Sequence, residues 1–112
     1  MKVTEIVEKL NLKILSGHEG LGREITSGYT SDLLSDVMGH ADAGAAWVTI
    51  QTHRNIMAIA SLRDLSAVII TCGEIPGDDT VKQSNEEGIP VLGTDLSTFE
   101  LTGRLYTLIS RS

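Results

Sequence analysis

Between Gly28 and Met38 the chain carries the hydroxyls of Tyr29, Thr30, Ser31 and Ser35 and the carboxylates of Asp32 and Asp36, set around an apolar stripe of Leu33, Leu34, Val37 and Met38. Two chemistries suit such a set. Asp32 and Asp36, spaced by one helical turn, can share a proton or a cation. Alternatively Thr30 or Ser31 caps a helix, Asp32 sits at its positive dipole end, and the stripe packs. The second reading asks for nothing unusual and leaves the carboxylates solvated.

Other residues with chemical capacity are scattered. Gly17-His18-Glu19-Gly20-Leu21-Gly22-Arg23-Glu24 has the glycine spacing of a phosphate-binding loop, but Arg23 and Glu24 replace the required Lys and Ser or Thr. The segment also precedes a strand where that motif needs a helix, so a flexible loop is the simpler reading. His18, His40 and His53 share no metal-ligand spacing, and no metal or cofactor is called for. Cys72 follows an apolar run without a neighbouring His or Lys to stabilise a thiolate, and reads as an unactivated thiol.

The elements that must position these groups follow from periodicity. Val3, Ile6, Val7 and Leu10 have helical spacing, with Thr4 as the expected cap. Leu12 to Leu15 reads as a strand, Ser16 to Gly22 as a loop, Arg23 to Tyr29 as extended, and Leu33 to Met38 as a helix ended by Gly39. Ala46 to Gln51 is a β-branched run, followed by a polar corner at Thr52 to Asn55 and an apolar helix from Ile56 to Leu65. Ala67 to Thr71 is a strand covered on both faces, Asp79 to Glu87 a polar helix closed by Gly88, and Ile89 to Leu92 a further strand. Ser97-Thr98-Phe99-Glu100 matches a capping box ahead of Leu101, Leu105, Leu108 and Ile109.

Three successive strand–helix alternations require parallel strands with right-handed crossovers. The expected fold is therefore α/β: a three-layer α/β/α domain with a mostly parallel central sheet, filling residues 1–112 as one unit. Ligands in such sheets sit at the carboxyl ends of strands, near a switch in strand order. The corners to inspect are Tyr29 to Asp32, Thr52 to Asn55, Thr71 to Glu74 and Thr94 to Ser97.

Composition narrows the function. With 112 residues the chain fills a single domain. A formal net charge of -6 disfavours a nucleic-acid polymer or an acidic membrane surface as partner. Aromatics at 4% give no base-stacking platform. One cysteine and the lack of a signal peptide or spanning segment lead to the expectation of a reduced, cytoplasmic setting.

The order of Arg23-Glu24-Ile25-Thr26-Ser27-Gly28-Tyr29, Ser31 to Met38, Trp47-Val48-Thr49-Ile50-Gln51-Thr52-His53, Val68-Ile69-Ile70-Thr71-Cys72-Gly73 and Gly88-Ile89-Pro90-Val91-Leu92 closely resembles the DRTGG domain family over nearly the whole chain. Where that family commonly reads Thr-Gly-Gly, this chain has Thr71-Cys72-Gly73. The resemblance implies a fold like the amino-terminal domain of HPr kinase/phosphorylase. It also implies the company of CBS modules in regulated pyrophosphatases or of phosphotransacetylase catalytic domains, and a regulatory role without catalysis.

The leading expectation is thus a non-catalytic regulatory or adaptor module, a homodimer that senses a small polar ligand such as a nucleotide or phosphorylated metabolite. Its expected ligand residues are Tyr29, Ser31, Asp32, Thr52, His53, Asn55, Thr71, Gly73 and Thr94. The rival is a pure oligomerisation or protein-docking domain, with Leu33, Leu34, Val37, Met38 and Trp47 as a partner surface. A small-molecule enzyme comes last, because no nucleophile with its base can be named.

Overall fold

The computed structural model of the chain describes residues 1–111. In chain order the elements are α1 (Val3–Lys9), β1 (Lys13–Ser16), β2 (Ser27–Thr30), α2 (Leu34–His40), β3 (Ala45–Thr49), α3 (Asn55–Leu62), β4 (Ala67–Ile70), α4 (Asp78–Glu87), β5 (Val91–Gly93) and α5 (Thr98–Arg111), with a 3₁₀ turn at His18–Gly20. They build one five-stranded sheet in the order β1-β5-β4-β3-β2. β2, β3, β4 and β5 are mutually parallel, and β1 joins β5 antiparallel.

Burial explains that order. Every residue of β3, β4 and β5 is buried, as continuous apolar runs must be, whereas β1 and β2 are partly exposed and take the edges. Side chains alternate between faces with the strand period of two. Ala46, Val48, Ala67, Ile69 and Leu92 pack with Val3 and Ile6 of α1 and Leu101 and Leu105 of α5. Ala45, Trp47, Val68, Ile70 and Val91 pack with Val37 of α2 and Ile56, Met57 and Ala60 of α3. The three-layer α/β/α expectation is met.

The strand order departs from expectation at one point. The parallel strands follow one another in a single direction, so the crossovers through α2, α3 and α4 repeat without reversing, and α3 packs between α2 and α4. No switch in order falls among them. The discontinuity lies at the β1–β5 border, where the first strand enters from the other end of the sheet.

Helix boundaries show which local signals prevailed. Gly88 adopts the left-handed conformation at φ 65° and ends α4 as expected. The Ser97 hydroxyl accepts the Glu100 amide at 3.2 Å, half of the expected capping box, while the Glu100 carboxylate pairs with Arg104 at 2.8 Å instead of reaching back. Thr4 does not cap α1: Lys2 occupies the cap position, and its amide donates to the Glu5 carboxylate at 3.0 Å. Gly39 lies inside α2, which runs on to His40.

Candidate functional site

The Gly17–Gly22 segment, expected as a flexible loop, contains a 3₁₀ turn and is pinned to the chain entering β5. A Cβ at Gly17 would lie 2.4 Å from the Ile89 carbonyl oxygen, and one at Gly20 would lie 2.2 Å from that of Gly88. The glycine spacing therefore serves close backbone approach to the segment entering β5. The Gly17 amide donates to Asn85 Oδ1 at 2.8 Å, and Arg23 Nε donates to the Gly88 carbonyl at 3.0 Å. Buried Ser16 donates to Ser84, which donates in turn to the Ile89 carbonyl.

Asp32 and Asp36 take different partners. Asp32 precedes α2, and its Oδ1 accepts the Thr49 hydroxyl at 2.8 Å and the Ile50 amide at 2.9 Å. The Gln51 side chain donates to the Asp32 carbonyl at 3.0 Å, fastening the end of β2 to that of β3. Asp36 accepts the Tyr29 hydroxyl at 2.9 Å on both oxygens and contacts His40 Nδ1 at 3.1 Å. The Ser31 hydroxyl, then the Tyr29 hydroxyl and the His40 ring hold the Asp36 carboxyl below the usual carboxylate range. The same bond to Asp36, with burial and the carboxylate charge, raises the Tyr29 phenol above its usual value. The Tyr29–Asp36 bond latches β2 to α2, and His40 meets Asp36 from one turn further along the same helix.

Two members of the expected partner surface belong to the core. Trp47 and Val37 are fully buried, and the Trp47 indole donates to the Ser31 carbonyl at 2.8 Å. The residue types could not tell an inward stripe from an outward one, but the second layer of helices settles it. Leu33 at 64% and Met38 at 38% exposure do face outward, with Leu34 half-buried.

Sheet polarity brings the four polar corners to one end, because the carboxyl ends of parallel strands coincide. They nevertheless form separate groups. Asp32 joins Thr49 and Gln51, while Ser31 donates its amide to the Val48 carbonyl and accepts the Trp47 indole at its own. The Thr52 carbonyl accepts the Thr80 hydroxyl at 2.8 Å and so anchors the start of α4. His53 Nδ1 accepts the Asn55 amide at 3.1 Å at the entrance to α3. Gly73 and Thr94 do come together, the Gly73 amide donating to the Thr94 carbonyl at 2.9 Å, whereas the Thr71 hydroxyl turns to that of Thr98 at 2.6 Å. Between Thr71 and Gly73, Cys72 holds the left-handed backbone at φ 60°, the conformation in which the glycine common in the resembled family is at ease.

At the carboxyl end of β5 lies a polar hollow of about 270 Å³, lined by Asn11, Lys13, Thr94, Asp95, Leu96 and Arg104 among others. A smaller one of about 60 Å³ shares Lys13, Gly93, Thr94 and Asp95 and adds Gly73. Thr94 and Gly73 are among the ligand residues that the sequence suggests. Lys13 and Arg104 are not, because only the antiparallel β1–β5 pairing and the run of α5 bring them to this strand end.

The DRTGG domain description matches residues 5–108. The chain belongs to the DRTGG domain family. This DRTGG domain is 27% identical, over an alignment of 122 residues, to the HPr kinase/phosphorylase of Brevibacillus brevis. That alignment takes in 96% of this chain and 39% of the relative, so the chain spans about two-fifths of the protein it matches. Among solved structures, the CBS and DRTGG domains of the regulatory region of Clostridium perfringens pyrophosphatase, complexed with the activator diadenosine tetraphosphate, share the fold with a TM-score of 0.68. The match has 15% identity and covers 90% of this DRTGG domain and 44% of that chain. No helix of the described residues is long and apolar enough to cross a membrane.

Proposed function

We propose that this DRTGG domain is a non-catalytic regulatory or adaptor module that works as a homodimer and senses a small anionic, nucleotide-like ligand at the carboxyl end of β5. The observation that carries the reading is that Lys13, Arg104 and Thr94 line one hollow of about 270 Å³, with Asp95 as the one carboxylate among its lining residues, in a chain of net charge -6. Two cations at a strand end suit a phosphorylated metabolite or a nucleotide. Arg104 shares its charge with Glu100, so an arriving anion competes for the guanidinium and reaches the first turns of α5. The fold likeness to a regulatory region complexed with a dinucleotide activator supports the same class of ligand.

Calorimetric titration with nucleotides and phosphorylated metabolites tests the reading. Lys13→Ala should weaken a binding ligand about tenfold, the loss of one charge-assisted contact. Absence of binding or thermal stabilisation by any of them removes the ligand-sensing half.

A second reading, a docking domain without a ligand, is favoured by the outward-facing Leu33 and Met38. It predicts a protein partner whose binding Leu33→Glu abolishes while Lys13→Ala leaves it intact.

A further inference from the structure

Two apolar grooves run along β2 and α5. One groove of about 420 Å³ lies between Gly28, Thr30, Leu105 and Tyr106, and a second of about 400 Å³ continues it past Phe99, sharing Thr30, Thr102 and Tyr106. α5 comes down onto β2 at Gly28, where a Cβ would touch Leu105 at 3.4 Å. It then leaves Phe99 at 90% and Tyr106 at 72% exposure.

The two edges of the sheet are unequal. β1 carries the devices that discourage pairing, a lysine at its start and an irregularity between Ile14 and Ser16. β2 has neither. Its Ser27-Gly28-Tyr29-Thr30 contains no charge and no proline, pairs β3 in unbroken register, and has no strand on its outer side.

We infer that this face is covered by a second copy of the chain, with β2 pairing antiparallel to β2 of its partner across a two-fold axis and the α5 helices meeting over the seam. This rests on the homodimeric half of the proposed function. Charge selects the occupant. A two-fold interface sets the same patch of both copies against itself, so a net charge in the patch would repel its own copy. Neither groove is lined by a charged residue, although 21% of the chain is charged. Charge depletion with exposed aromatics is also the composition of an interface core. Phe99 and Tyr106 supply about 300 Å² per copy, and the strand edge with the threonine face of α5 extends this towards the roughly 800 Å² per partner of a stable dimer. The axis normal to the sheet keeps both α5 helices on one side, which brings the aromatic pairs together.

Sedimentation of the full chain, with hydrogen exchange, tests the inference. The wild-type chain should be a dimer at micromolar concentration, and Phe99→Glu with Tyr106→Glu should weaken it at least about 100-fold. Both positions are exposed, so circular dichroism should show the fold unchanged. Leu33→Glu with Met38→Glu should leave the dimer intact. The Thr30 amide, which alternates with the inward-bonded Ser31 amide, should exchange more slowly as concentration rises. A strict monomer would overturn both this interface and the homodimeric reading. A dimer dissolved by the Leu33 and Met38 pair, but not by the Phe99 and Tyr106 pair, would overturn this interface alone.

Discussion

Thr49, fully buried at the end of β3, donates its hydroxyl to the Asp32 carboxylate at 2.8 Å and so ties it to the strand beside its own. Asp32→Ala strands that hydroxyl and leaves the exposed Ile50 amide to water. Loss of about 1–3 kcal/mol is expected, read as a lower urea midpoint with an unchanged slope. Asp32→Asn keeps an acceptor oxygen and should lose less than half as much.

Gly20 faces the Gly88 carbonyl with no room for a side chain, whereas a Cβ at Gly22 meets nothing within 4 Å. Gly20→Ala should therefore destabilise the domain by about 1–3 kcal/mol through forced backbone shifts. Gly22→Ala should stay within about 0.5 kcal/mol of wild type. Equal effects in denaturant melts would contradict the pin. A phosphate-binding role for the loop would instead show as lost nucleotide affinity in Gly22→Ala.

Cys72 occupies a left-handed backbone position that a side chain adopts at a cost of about 1–2 kcal/mol. Cys72→Gly removes that cost and increases unfolded-state entropy, so a net stabilisation of somewhat under about 1 kcal/mol is expected. Loss of stability in the same melts would assign the exposed thiol a contact of its own.

The Asp36 carboxyl titrates below its ordinary value in the folded chain. It therefore contributes stability above the unfolded carboxylate pKa, and that contribution is lost as pH falls through the lowered folded value. Tyr29, raised above its ordinary value, contributes below the unfolded phenol pKa, and that contribution is lost as pH rises through the raised folded value. Tyr29→Phe should move the Asp36 titration, followed by NMR, upward and flatten the acid limb of the stability profile. An unmoved Asp36 would mean that Ser31 and His40 suffice to hold it.

What the sequence determined by itself was local or periodic. The uninterrupted runs Ala67-Val68-Ile69-Ile70 and Trp47-Val48-Thr49 demanded central strands, since no other place covers both faces. Gly88 and Ser97 marked helix ends through backbone and hydroxyl chemistry that acts within one turn. A second apolar stripe on α5, Phe99 to Tyr106 seven residues apart, was also there to be read beside Leu101 and Leu105. The tertiary structure decided whatever depended on which elements meet. It placed Val37 and Trp47 inward, gave the glycine-rich segment the backbone of Gly88 to Pro90 as its neighbour, and gave Asp32 and Asp36 different partners. It also set Lys13 and Arg104 around one hollow. The reason is that periodicity fixes which side of an element is apolar, whereas strand order and edges depend on how whole faces pack, and residues as distant as Lys13 and Arg104 come to line one hollow only once β1 has paired with β5.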